Sequence, residues 1–189
     1  MLRKIPYDTC VPVLARFRLS EEAAEIIVES MAPDLALQVL HKANHFVDLI
    51  HFFGHAMPPR EGICWALSVV KDLRPEVSEA DAAVCEQVAD WIRDPQEARR
   101  VALMQEGEQR ENEDPIGWLC NAVAWNGSGS IGPIDGPTVL PPAGLYVSGL
   151  LGAISLLAGD TEDTFAAAVE VTFQQGMAVA QGGWPNIAT

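Results

Sequence analysis

Residues 165–180 read FAAAVEVTFQQGMAVA, and this segment carries the clearest helical pattern in the chain. Its apolar and small side chains recur at the intervals that place residues on one face of an α-helix. That face consists of Phe165, Val169, Thr172, Phe173, Gly176, Met177 and Ala180. The segment therefore predicts an amphipathic helix that buries this face against other helices.

The same spacing holds in nearly every other segment, and no segment shows the alternation typical of a β-strand. One helix is expected to run without a break from Pro33 toward Met57. Signals for helix starts are a capping Ser or Asp, or a proline in the first turn, and they occur at Ser20, Pro33, Pro58, Ser78, Asp94 and Asp114. The sequence predicts an all-α fold, a compact bundle of seven to eight helices in a single domain over residues 1–189.

Two segments fall outside this helical pattern. Residues 1–18 are predicted to form an irregular N-terminal arm. Residues 126–142 are rich in Gly, Pro and Ser and are predicted to be irregular. They are interpreted as a loop rather than a domain linker, because the two helices after them have too few partners to fold alone. Within the loop, Gly127-x-Gly129-x-x-Gly132 formally matches a dinucleotide fingerprint, but it follows a helix instead of a strand. No cofactor is therefore predicted.

Composition limits the classes of partner. The net charge of −14 argues against nucleic acid and against anionic membrane surfaces, since both bind clustered Lys and Arg. The N-terminus lacks the apolar stretch of a signal peptide. The four cysteines are scattered without a CxxC pair, as expected for reduced thiols in the cytoplasm; they are Cys10, Cys64, Cys85 and Cys120.

Residues 143–158 are apolar apart from two serines and require comparison with a membrane span. The run is at the lower length limit for crossing a bilayer. Gly144, Ser148 and Gly152 stand four residues apart, which suits close helix contacts in a membrane or in a globular bundle. We favour a buried helix; the sequence leaves open whether it lies in the core or at a subunit interface, and it leaves the oligomeric state open.

The four histidines lie on the helix predicted after Pro33 and are expected to occupy one face of it. Two pairs are four residues apart, the spacing with which two imidazoles bind one metal ion. Asp48 is the nearest carboxylate on that face. The face could equally be a solvated polar surface, so metal binding is kept as an alternative for His41, His45, His51 and His55.

Arg60 and Glu61 follow Pro58-Pro59 in the first turn of the next predicted helix. A carboxylate is favourable at this end of a helix, and Arg60 is expected to pair with a carboxylate from a neighbouring helix. The pair could instead form an unfamiliar catalytic site together with His55. No recognised hydrolase or phosphate-binding motif accompanies it, so the sequence predicts no enzyme.

Several short motifs resemble an uncharacterised bacterial family that is classed only as a domain of unknown function. They are HAMPPRE at 55–61, WA at 65–66, WIRDP at 91–95, PIGW at 115–118 and WNGSGS at 125–130. The similarity covers residues 46–176. Where two adjacent tryptophans are expected after the Arg-Glu pair, this sequence has Cys64-Trp65.

The resemblance implies a place beside type VI secretion components, near spike-tip and effector-adaptor genes. It therefore implies an accessory, adaptor or effector-loading role with a protein partner, and no known catalytic residues. The surfaces expected to bind are the histidine face and the loop 126–142 with its neighbouring tryptophans. The candidate interaction or structural residues are His55, Pro59, Arg60, Glu61, Trp65, Trp118 and Trp125.

Overall fold

The computed structural model describes residues 2–187, and within this range the chain forms ten α-helices and no strand. The helices are α1 Val11–Leu14, α2 Glu21–Ile26, α3 Pro33–Lys42, α4 Phe46–Ala56, α5 Pro59–Leu73, α6 Glu79–Arg93, α7 Glu97–Glu108, α8 Pro115–Ala124, α9 Tyr146–Ser155 and α10 Glu162–Ala180. The predicted all-α class is confirmed. Residues 1, 188 and 189 of the predicted domain lie outside the described residues.

The predicted count of seven to eight helices is too low for two reasons. Helix α1 lies inside the segment that was expected to be irregular. The single helix expected from residue 33 to residue 57 is divided into α3 and α4. Asn44 adopts a left-handed backbone conformation with φ 56° at the division, and asparagine tolerates this conformation better than most residues.

Side-chain caps explain several of the helix starts. The oxygen atoms of Ser20, Ser78 and Asp114 accept backbone N–H groups of α2, α6 and α8 at 3.2, 3.1 and 2.9 Å. Thr161 and Thr164 form a reciprocal capping box at the start of α10. The start signals at Ser20, Ser78 and Asp114 are therefore confirmed, with the capping groups satisfying N–H donors that have no partner inside the helix.

The N-terminal arm packs against the rest of the molecule. Leu2, Ile5, Cys10 and Val13 are buried in the same hydrophobic cluster as the main helices. The backbone N–H of Lys4 also donates to the carbonyl oxygen of Ala180, at 2.9 Å. The arm thus contributes to the core although most of it is not helical.

Helix α5 forms the centre of the core. Residues 61–70 are all buried, and the helix contacts α6, α8, α9 and α10. Trp65 is fully buried; its indole N–H donates to the carbonyl oxygen of Thr172 on α10 at 2.9 Å. Its ring also lies 5.1 Å from that of Phe53 on α4. Trp65 therefore has a structural role.

Helix α9 packs closely on α8 through small residues. A Cβ atom at Gly149 would lie 2.6 Å from the backbone nitrogen of Ala122, and a Cβ atom at Gly152 would overlap the ring of Trp118. Ser148, which the sequence analysis placed on the contact face, is exposed. Within the described range, the molecule contains no helix of the length and apolar character that a bilayer crossing requires.

Candidate functional site

His41 lies apart from the other histidines because the break at Asn44 places it on α3. Its ring stacks on Phe173 of α10, with centroids 4.0 Å apart and planes inclined by 7°. Its Nε2 atom lies 3.0 Å from Oε2 of Glu170. His41 is therefore part of the contact between α3 and α10.

His45 is the residue that caps α4, and its Nδ1 atom lies 4.0 Å from Oδ2 of Asp48. The Asp48 carboxylate is buried and accepts the backbone N–H and the hydroxyl of Ser20 at 2.8 and 2.7 Å. These bonds join the start of α2 to α4. Asp48 is thus engaged in a structural connection.

His51 and His55 pack with Phe17 of the N-terminal segment. The Phe17 ring stacks on His51 at 5.5 Å and on His55 at 5.3 Å between ring centroids. Burial lowers the pKa of His51, although the charge of Asp48 opposes this effect. Burial, His51 and Arg16 together lower the pKa of His55 to about 4. Both rings are therefore neutral near neutral pH.

The expectation that all four histidines share one helical face is wrong. His41 is on α3, His45 precedes α4, and only His51 and His55 stack side by side, with centroids 6.0 Å apart. Among residues 2–187, no three or more His, Cys, Asp or Glu side chains are grouped in a way that could hold a metal ion. The predicted metal ligands are thus not brought together in the described part of the chain.

Arg60 and Glu61 take different hydrogen-bond partners. Arg60 donates to the carbonyl oxygens of Ile92 and Arg93 at 2.5 and 3.2 Å, which satisfies acceptors at the end of α6. Glu61 accepts from Nζ of Lys4 at 2.7 Å. The expectation that Arg60 pairs with a carboxylate is therefore wrong, and within residues 2–187 no hydrogen bond or ion pair joins Arg60, Glu61 and His55.

The remaining sequence candidates have structural surroundings. Pro59 occupies the first turn of α5. The rings of Trp118 and Trp125 pack edge to face with centroids 6.2 Å apart, and the indole N–H of Trp118 donates to the carbonyl oxygen of Asn112 at 2.6 Å. Trp118 thus joins α8 to the segment before it and contacts Trp125, the residue at the end of α8 that precedes the predicted loop 126–142.

The four cysteines are buried with free thiols, as expected for reduced cysteines. Burial raises the pKa of Cys10 to about 11 and the pKa of Cys64 and Cys120 to about 12. Burial also raises the pKa of Cys85. Because the thiolate is the nucleophilic form, these side chains are poorly suited to covalent catalysis.

Arg100 holds the base of the loop 126–142. Its side chain is 1% exposed and donates to the carbonyl oxygens of Ala124 and Ser130 at 3.0 and 2.9 Å. Two bonds of 2.7 Å join it to the carboxylate of Glu97. Arg100 was not among the residues predicted from the sequence, although this residue shares a helical face with Leu103, Met104 and Gly107, which are also buried.

Beyond this anchor, hydrogen bonds close the loop on itself. The Ser130 hydroxyl accepts the backbone N–H groups of Gly132 and Val139 at 3.1 and 3.0 Å. The N–H of Ile131 donates to the carbonyl oxygen of Val139 at 2.8 Å. The closed segment and the residue after it present large apolar side chains to solvent: Ile134 is 62%, Val139 47% and Leu140 62% exposed.

A second surface feature is a cleft of about 540 Å³ between the N-terminal segment, the end of α4 and the start of α9. Its polar groups include Arg16, whose guanidinium donates to the carbonyl oxygen of His55 at 2.6 Å and to the hydroxyl of Tyr7 at 2.9 Å. Tyr146 lies on the wall formed by α9. Of the residues that line this cleft, only His55 and Pro59 were candidates predicted from the sequence, because the cleft joins segments that are distant in the chain.

The fold and surface therefore define an all-helical protein that presents one anchored apolar loop and one cleft with a basic side chain. The chain belongs to the family described as Family of unknown function (DUF6931), whose model matches residues 36–180. That match covers the segment whose motifs suggested an uncharacterised family. No curated protein and no solved structure matches the chain.

Proposed function

We propose that this chain is a non-catalytic helical interaction protein that binds a partner protein through the loop 126–142. The observation that carries the proposal is the exposure of Ile134, Val139 and Leu140 in a loop whose base is fixed by the buried side chain of Arg100. Contiguous exposed apolar surface commonly marks a protein contact, and these three exposed side chains belong to one short loop. A loop that is already ordered loses less conformational entropy on binding than a disordered one.

The finer proposal is an accessory, adaptor or effector-loading role in a bacterial type VI secretion system. It is supported by the gene neighbourhood that the sequence resemblance implies. The net charge of −14 favours a partner with a basic rim around an apolar contact.

A non-catalytic role is supported by the state of the candidate catalytic groups. Arg60 and Glu61 are bound to the end of α6 and to Lys4. The pKa of each cysteine thiol is raised by burial.

Site-specific cross-linking in a host that carries a type VI secretion cluster tests this proposal. A photo-reactive residue replaces Asp135 in the loop or, as the control, Glu25 on α2; both positions are exposed. We expect position 135, and not position 25, to cross-link to a secretion component or an effector. A partner outside the secretion system would overturn the finer role while leaving an interaction protein.

A matched pair of double variants tests the apolar contact itself. Ile134→Ser with Leu140→Ser removes exposed apolar groups from the loop. Leu35→Ser with Val47→Ser removes side chains that are 48% and 51% exposed on α3 and α4. We expect only the loop variant to lose the cross-linked product. If both variants retain it, the loop is not the binding surface.

A further inference from the structure

The cleft between the N-terminal segment, the end of α4 and the start of α9 has the size of a small-molecule site. Its volume of about 540 Å³ falls within the range that is usual for ligand pockets. Most of its wall is apolar and is formed by Pro6, Met57, Pro58, Pro59, Ala143 and Gly144. A ligand that fills this space therefore needs an apolar body.

Several backbone carbonyl oxygens around the cleft already accept hydrogen bonds. The hydroxyl of Tyr146 lies 2.5 Å from the carbonyl oxygen of Gly54 and 3.1 Å from that of Met57. The carbonyl oxygen of His55 accepts from Arg16 at 2.6 Å. Pro58 and Pro59 have no backbone N–H, so the polar side chains determine what the cleft can bind.

Arg16 supplies charged donors to the cleft. Of its five N–H groups, one donates to His55 and one to the hydroxyl of Tyr7. None of the ion pairs within residues 2–187 includes Arg16. The cleft thus offers a guanidinium without a carboxylate partner in a chain whose net charge is −14.

The charge of the cleft selects a monoanion. Burial, His51 and Arg16 lower the pKa of His55 to about 4, so the His55 ring is neutral near neutral pH. Among the residues that line the cleft, Arg16 is then the one that carries a formal charge. A carboxylate matches a single guanidinium in charge and in planar geometry.

We propose that this cleft binds a small organic monocarboxylate, with the carboxylate on Arg16 and the apolar body against Pro6, Met57 and Pro59. The absence of a side chain at Gly144 leaves the space beside His55 open, because a Cβ atom there would lie 3.0 Å from the imidazole ring. The site is distinct from the loop of the proposed function and does not depend on it.

Calorimetric titration with phenylacetate, hexanoate and the uncharged phenylacetamide tests this site. The variants are Arg16→Gln and the control Arg18→Gln, which makes the same charge change at an exposed residue that does not line the cleft. We expect the wild type and Arg18→Gln to bind phenylacetate equally. Arg16→Gln should bind phenylacetate at least about tenfold more weakly, which is the loss of affinity expected for one charge-assisted hydrogen bond.

Phenylacetamide should bind weakly to all three proteins, and phenylacetate should shift the backbone amide resonances of Gly144 and Tyr146. Absence of binding by both carboxylates would overturn the proposal. Equal affinity for phenylacetate and phenylacetamide would overturn it as well, and so would an Arg16→Gln protein that binds like the wild type.

A second pair of variants leaves Arg16 and its bonds in place. Ala143 is exposed and lines the cleft, so Ala143→Glu adds a carboxylate that competes for the guanidinium, whereas Ala143→Gln adds an uncharged side chain of similar size. We expect Ala143→Glu to bind phenylacetate several-fold more weakly than Ala143→Gln. Equal affinities in this pair would contradict the assignment of Arg16 as the anion-binding group.

Discussion

The stacked rings of His51, Phe17 and His55 predict that acid destabilises the fold through His55. Burial is the largest cause that lowers the pKa of His55 from 6.5 to about 4, followed by the charges of His51 and Arg16. The unfolded chain therefore takes up a proton near pH 6.5, and the folded chain resists it until about pH 4. The stabilising contribution is complete above the unfolded-state pKa and is lost as the pH falls toward the folded-state value.

The size of the effect follows from the shift in the pKa. Each unit of difference in pKa between the folded and unfolded states is worth about 1.4 kcal/mol. The shift at His55 would therefore lower the free energy of unfolding by about 2 kcal/mol at about pH 5. Its ring is partly open to the cleft, and screening by water reduces the expected loss to about 1 kcal/mol. His51 adds a loss of the same sign, because its pKa is lowered by burial as well.

Urea unfolding followed by circular dichroism at about pH 7.5 and about pH 5 measures this loss. The variant His55→Phe keeps an aromatic ring beside Phe17 and removes the titrating group. We expect the free energy of unfolding of the wild type to fall by about 1 kcal/mol more than that of the variant. Equal losses in the two proteins would show that His55 takes up its proton as readily in the folded chain as in the unfolded one.

Three further substitutions test the fold and the loop, each by urea unfolding. Arg100→Met leaves the carbonyl oxygens of Ala124 and Ser130 without their donor, so we expect the free energy of unfolding to fall by about 2 kcal/mol. We also expect faster proteolysis within 126–142, and an unchanged cleavage rate would contradict the anchoring role. Gly149→Ala places a Cβ atom 2.6 Å from the backbone nitrogen of Ala122 and should lower the free energy of unfolding by about 1–3 kcal/mol. The control Ser148→Ala, on the exposed side of α9, should change that free energy by less than about 0.5 kcal/mol. Ser78→Ala removes the cap of α6 and should cost about 1 kcal/mol; no measurable loss would mean that solvent caps this helix equally well.

Helical periodicity and caps were sufficient to predict the class of the fold. The starts at Ser20, Ser78 and Asp114 agree with the structure because a cap depends on residues that are neighbours in sequence. The break at Asn44 was missed because apolar spacing continues across it. Asn44, a residue type that tolerates the left-handed conformation, was the local signal for this break.

The candidate sites were predicted less well because they depend on contacts between distant segments. The sequence identified 126–142 as a loop, but its anchor on Arg100 crosses from α7 to the loop. The histidines were grouped by spacing alone, whereas their stacking partners are Phe17 and Phe173, on segments that spacing cannot bring together. The cleft joins residues 6–16, 55–59 and 143–146, and no local pattern predicts that contact.

Two arginines show why a charged side chain cannot be assigned a role from composition. Arg110 is held by three carboxylates, Asp81 at 2.8 Å, Glu106 at 2.8 Å and Asp114 at 2.6 Å. Arg16 belongs to the same acidic chain, yet its hydrogen bonds go to a backbone carbonyl and to a tyrosine hydroxyl. Because neutral acceptors do not cancel its charge, Arg16 keeps an attraction for anions that Arg110 has lost.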